Sequence, residues 1–292
     1  MTRRFLTLVW SAAACTYLLI VLGAVVRITG SGLGCGEHWP LCNGHLFPPL
    51  NDIGTLIEWS HRLVAGLVTI LVVVVAAYAR FPGLARVAVA LLVIQILLGA
   101  ITVKLALPPW TVVLHLGTAM LLLATLLMLA SPPVPVSTWR AGSLLIVLLA
   151  FVTVLFGALT ANLGAASACG GFPLCNGQVW TTAGPLAVIH WTHRLLAFSL
   201  TIAAIIWAAR SRRTGPTVVV LLIVLQILFG AAMVLNGLPR VLQAAHVAVG
   251  AAVWAGVVLA SLSSTSQRSA APETLSPRPQ PDSSEKPVSS AS

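Results

Sequence analysis

Charge is what this sequence lacks. Only 8% of its 292 residues are Asp, Glu, Lys or Arg, and just 6 of them are acidic. Ordinary soluble domains carry roughly a quarter of their residues as charges, so the deficit excludes a soluble globular fold. The 16 Lys and Arg leave a formal charge of +10, but they form no block; they stand singly at the ends of apolar segments. They are topology signals, not a nucleic-acid-binding arm. The first apolar run, about Phe5 to Thr29, also lacks the break of a cleaved signal peptide. Ala12-Ala13-Ala14-Cys15 faintly resembles a cleavage or lipidation site, yet the run continues through Val26. It reads as a retained helix, with Cys15 a small packing residue inside it.

Hydrophobicity is what the sequence has, at 58% of residues and a mean hydropathy of +0.99. Beyond the first run, membrane-length segments lie at about 56–79, 84–106, 110–131, 139–162, 185–209, 215–237 and 240–262. The expected fold is an all-α integral membrane protein of eight transmembrane helices. Arg3, Arg4, Arg80, Arg86, Arg140, Arg210, Arg212 and Arg213 fall at one set of alternate ends; the other set has little beyond Lys104 and Arg240. By the positive-inside rule both termini are cytoplasmic, and the cysteine-bearing loops face outward. Residues 264–292, rich in Ser, Pro and charge, are expected to form a disordered tail.

An internal repeat divides the chain. Val21-Leu22-Gly23-Ala24 recurs as Leu155-Phe156-Gly157-Ala158, Pro40-Leu41-Cys42-Asn43-Gly44 as Pro173-Leu174-Cys175-Asn176-Gly177, and Gln95 to Ala100 as Gln226 to Ala231. An even number of helices per repeat gives both the same orientation. The expectation is two tandem four-helix bundles, 1–133 and 134–263, related by a pseudo-two-fold along the membrane normal.

Against this apolar background Glu58-Trp59-Ser60-His61-Arg62 stands out, echoed by His190-Trp191-Thr192-His193-Arg194. An ionisable side chain inside a membrane span costs roughly 2.5–3.5 kcal/mol on insertion scales, so such residues mark functional sites. Spacings of three and four put Glu58, His61 and Arg62 on one helix face. His61 pairs with His115 and His193 with His246, at separations of 54 and 53 residues. Two histidines per half are too few for zinc but sufficient as axial ligands on opposite faces of a haem. Arg62 and Arg194 either meet haem propionates or anchor the helices at the interface.

Cys35, His38, Cys42 and His45 have zinc-like spacing, but around Cys169 and Cys175 the cysteines remain without histidines. The property shared by both halves is a cysteine pair. Outward loops favour disulfides Cys35–Cys42 and Cys169–Cys175, structural or redox-active, each stabilising by roughly 2.5 kcal/mol through loop closure.

Two tandem four-helix halves, Glu-x-x-His-Arg, four helix-borne histidines and the loop Gly30-Ser31-Gly32-Leu33-Gly34-Cys35 resemble the haem A synthase family over about residues 5–262. The resemblance implies oxidation of a ring methyl of haem O to the formyl group of haem A through a hydroxymethyl intermediate, for cytochrome oxidase. It implies His61 and His115 at the substrate haem, His193 and His246 at haem b, and Glu58 in catalysis. The partners it implies are haem O synthase, an electron-transfer partner, membrane lipid and possibly a second copy of the chain, but no nucleic acid. His190 stands where Glu58 stands in the first half, so it rivals His193 as ligand, and repeat alignment favours His193. A non-catalytic dihaem cytochrome passing electrons from quinol to an outer acceptor would need the four histidines but not Glu58.

Overall fold

The computed structural model describes residues 2–49, 51–80, 83–132, 141–181 and 183–269, with side chains to residue 263. These residues form eight long α-helices and no sheet: α1 (Arg3–Ile28), α2 (Ile53–Tyr78), α3 (Gly83–Lys104), α4 (Pro109–Ala130), α5 (Ala141–Asn162), α6 (Pro185–Ser211), α7 (Thr214–Leu235) and α8 (Arg240–Ser269). All eight are long and apolar enough to cross a membrane. Helices are the expected solution there, because lipid offers no hydrogen bonds and each backbone group must find its partner within the segment. The protein is a multi-pass membrane protein.

Local chemistry sets the helix starts. The Asp52 carboxylate accepts from the Thr55 amide at 2.6 Å, beginning α2 three residues before the apolar run. Hydrogen bonds from Thr55 hold this exposed carboxyl below its ordinary pKa. Pro109 and Pro185 open α4 and α6, where a missing N–H costs nothing. At the other end of the chain, α8 runs on to Ser269, seven residues past the expected limit. Helical hydrogen bonding does not need an apolar side chain, so hydropathy underestimates a helix that outlasts its span. Arg140 and the rest of the expected tail, 270–292, lie outside the described residues.

Helices α1 to α4 pack in a ring closed by α1 against α4, and α5 to α8 in a ring closed by α5 against α8. The rings meet where α8 contacts α1 and α4, and where α4 contacts α5. Trp254 of α8 donates to the Met120 carbonyl of α4 at 2.8 Å, and Tyr17 of α1 to the Ala248 carbonyl of α8 at 2.9 Å.

The dry core occupies one end of the molecule. Val9 and Ala12, Val68 and Val72, Leu122 and Leu126, Ala204, Val219 and Val257 are all buried, and all belong to the helix halves near the arginine-bearing ends. Toward the cysteine loops the packing changes. Residues 21–29 and 242–250 are half-buried without exception, so the helices are less closely packed at this end.

Candidate functional site

The four histidines lie toward this end of their helices. His61 lies eight residues into α2 and His193 eight into α6, while His115 and His246 each lie six into α4 and α8. At 1.5 Å per residue these are depths of about 12 and 9 Å. The depth pattern of the first half is repeated in the second.

A glycine of the preceding helix supports every one of these rings. A Cβ added to Gly23, Gly99, Gly157 or Gly230 would lie 3.2, 3.3, 2.9 and 3.1 Å from Cε1 of His61, His115, His193 and His246 respectively. The repeated Gly-Ala dipeptides are therefore seats for imidazoles. Their close approach leaves no room for a larger residue.

Hydrogen bonding separates His193 from its rival. Arg194 Nε donates to His190 Nε2 at 3.3 Å, which makes Nε2 an acceptor and leaves Nδ1–H to donate to the Ala165 carbonyl at 3.2 Å. Both nitrogens of His190 are thereby used. His193 Nδ1 meets the Thr153 carbonyl at 3.1 Å, which fixes the tautomer whose Nε2 lone pair points away and is available to a metal. On α4 and α8 the corresponding nitrogens, His115 Nε2 and His246 Nε2, meet the amides of Gln95 and Gln226 at 3.2 and 3.1 Å. Buried Nδ1 atoms of His61, His115 and His246, and Oε1 of both glutamines, have no partner among the described residues. Orphaned polar atoms on glycine-seated imidazoles fit a site completed by a ligand better than they fit a finished core.

Glu58 and Arg62 face the first cysteine loop. Arg62 holds Glu58 at 2.5 Å and donates to the carbonyls of His38 and Leu41 at 3.0 and 2.6 Å; the second Glu58 oxygen accepts from the Cys35 amide at 2.8 Å. In the other half Arg194 donates to the carbonyls of Cys169, Gly171 and Leu174 at 2.7, 2.9 and 2.8 Å. Both arginines, expected either to meet propionates or to anchor the helices, donate to loop carbonyls. The loops they clamp are alike. Cys35 and Cys42 are joined (Sγ–Sγ 2.02 Å), as are Cys169 and Cys175 (1.98 Å). Asn43-Gly44 and Asn176-Gly177 turn with positive φ at both residues, the geometry of a tight two-residue hairpin that Asn-Gly favours. No cluster of three or more His, Cys, Asp or Glu forms among the described residues, so His38 and His45 do not gather with the cysteines into a zinc site.

The profile of the cytochrome oxidase assembly protein family matches residues 6–258. The chain belongs to this family. Among its relatives, a protein named heme A synthase from Shouchella clausii is 33% identical over 251 residues, covering 75% of this chain and 83% of that protein. Heme A synthases of Halalkalibacterium halodurans and Geobacillus kaustophilus are 33% and 34% identical, covering 75% and 82% of this chain and 83% and 86% of their own lengths. Membership of the family accounts for a match running through both halves and ending within α8.

Three features of the site escaped sequence reasoning. The seating glycines were visible as repeated Gly-Ala dipeptides, but nothing in a linear repeat says which residue each one touches. Gln95 and Gln226 were visible as repeat members too, and the polar amide in an apolar run was their signal. Arg27, a half-buried cation at the cysteine-loop end of α1, has no counterpart in the second half and was hidden by its place at a helix end.

Proposed function

We propose that this protein is a haem A synthase, oxidising a ring methyl of haem O to the formyl group of haem A through a hydroxymethyl intermediate. The observation that carries this reading is the one chemical difference between two otherwise parallel clusters. A carboxylate, Glu58, stands one turn from His61, and a fully hydrogen-bonded imidazole, His190, stands one turn from His193. The relatives named heme A synthase support it.

His61 and His115 hold the substrate haem, and Gly23 and Gly99 set the planes of their rings. Glu58, fixed by Arg62 and by the Cys35 amide, presents negative charge beside that site, where it stabilises positive charge developing as the methyl is oxidised. The cysteine loop covers the site, and its carbonyl clamp on Arg62 keeps Glu58 from swinging into solvent. In the second half His193 and His246 would hold haem b, with the Thr153 carbonyl holding the His193 tautomer. When bound, haem b would supply one-electron transfer. Residues 1–133 then form the substrate half and 134–263 the electron-transfer half, related by a pseudo-two-fold, with both termini cytoplasmic. An electron acceptor and haem O synthase are the expected protein partners.

The test is product analysis. Co-expressed with a source of haem O, the wild type yields haem A on acid extraction and chromatography. Glu58→Gln is expected to retain haem and accumulate haem O or its hydroxymethyl form. Haem B as the sole extractable haem, with no change in co-expressed haem O, would overturn the assignment in favour of a cytochrome.

A further inference from the structure

Arg62 pairs with Glu58 and Arg194 donates to several loop carbonyls; Arg27 has neither kind of partner at close range. Arg27 is half-buried, and no carboxylate pairs with it among the described residues. Its guanidinium reaches across the seam between the two rings. The Ala161 carbonyl of α5 lies at 3.5 Å and Gln243 Oε1 of α8 at 3.4 Å, both at the outer limit of a hydrogen bond. Gln243 is itself held by its donation to the Leu238 carbonyl at 2.7 Å.

The positions of these contacts locate the guanidinium. Arg27 is one turn beyond Gly23, which seats His61. Ala161 is one turn beyond Gly157, which seats His193, and Gln243 is one turn before His246. All three steps run toward the cysteine loops. A buried guanidinium keeps its charge, and its five donors are poorly served by two distant neutral acceptors. A planar carboxylate is the partner that guanidinium geometry matches best.

We propose that Arg27 binds a propionate carboxylate of the haem held by His193 and His246, with Gln243 steering the guanidinium to it. This rests on the assignment of those two histidines as ligands. Since Arg27 belongs to the first half, the contact would pin the second-half haem to the substrate half across the seam.

The experiment uses the purified holoprotein in nanodiscs of zwitterionic lipid, with a redox titration of the low-spin haem. Loss of a buried positive charge favours the ferric state. Arg27→Gln is therefore expected to lower the midpoint potential, by about tenfold in the reduction equilibrium, or about 59 mV for one electron. The resonance Raman propionate-bending band should shift as well. Arg27→Lys, which keeps the charge and protects the test if the glutamine variant folds poorly, should stay within about twofold of the wild-type equilibrium and still shift the band. An unchanged band in both variants would overturn the proposal. So would a difference from wild type that appears only in nanodiscs containing anionic lipid, which would assign Arg27 to a headgroup phosphate. His246→Ala separates the two layers of argument. If it keeps the low-spin haem, the ligand assignment falls; if it loses it while Arg27→Gln matches wild type, only the role of Arg27 falls.

Discussion

At the scale of the residue, the site is built from contacts too close for any other side chain. Gly157 approaches His193 most tightly, with a hypothetical Cβ at 2.9 Å from Cε1 and 3.4 Å from Nδ1. The imidazole cannot retreat without losing its bond to the Thr153 carbonyl. Gly157→Ala is therefore expected to tilt His193 and lower the low-spin haem content of the purified protein severalfold. Gly66, with open space around its Cβ position, is the control: Gly66→Ala should leave the haem spectrum unchanged and stabilise α2 by roughly 0.5–1 kcal/mol. Equal haem loss in both variants would show that the effect is not at the imidazole. The same scale explains what the sequence made legible. His61, His115, His193 and His246 announce themselves because ionisable residues are costly in apolar segments. Gly157 and Gly230 do not, since their function lies in what they leave out, and that emerges only when the facing helix is known.

At the scale of the element, the two cysteine loops are each anchored to the helix that follows by one arginine. Guanidinium geometry matters here: Arg194 reaches three carbonyls and one imidazole nitrogen from a single planar fork. An ammonium cannot span that set, so Arg194→Lys should destabilise the second loop by about 3 kcal/mol. Reductant should then open Cys169–Cys175 at least tenfold faster than in wild type, measured by thiol alkylation and mass spectrometry. An unchanged alkylation rate would mean that the disulfide and the Asn-Gly turn hold the loop unaided. Sequence reading caught the cysteine pairs through their repetition, and it caught the arginines as cations. It missed their partners because backbone carbonyls carry no sequence signal. The helix α2 likewise starts earlier than hydropathy implies, because Asp52 caps it from within a polar stretch.

At the scale of the whole molecule, packing and charge divide the protein along its long axis. The arginine-bearing end holds the close-packed core, and the cysteine-loop end holds the histidines and the seating glycines. Close packing at one end keeps the helices from splaying where the other is less tightly packed. The seam between the rings adds Trp254 to Met120 and Tyr17 to Ala248 as specific ties. Trp254→Phe would remove the second hydrogen bond to the Met120 carbonyl, which keeps its helical partner, at a cost of about 0.5–1.5 kcal/mol, visible as a lowered Tm of the detergent-solubilised protein without loss of the haem spectrum.

The same axis yields a prediction about orientation. Arg3 and Arg4 open α1, Arg80 follows α2, Arg86 lies in the first turn of α3, and Arg210, Arg212 and Arg213 surround the junction of α6 and α7. These helix ends lie on one side, because successive helices alternate in direction. The opposite side carries Arg27, Lys104 and Arg240, and Arg27 is turned inward to the seam rather than outward to lipid headgroups. Discounting it, the asymmetry favours a cytoplasmic arginine end. An exposed Asn-Gly hairpin held by a cysteine bridge also belongs in an oxidising compartment. Alkaline phosphatase fused after residue 45 or 178 should therefore be active, and fused after residue 82 or 212 inactive. The reverse pattern would place the bridged loops in the reducing cytoplasm and the four histidines with them. Reductant would then reach Cys35–Cys42 directly, and the anchoring of Glu58 by the Cys35 amide would fall under cytoplasmic redox control.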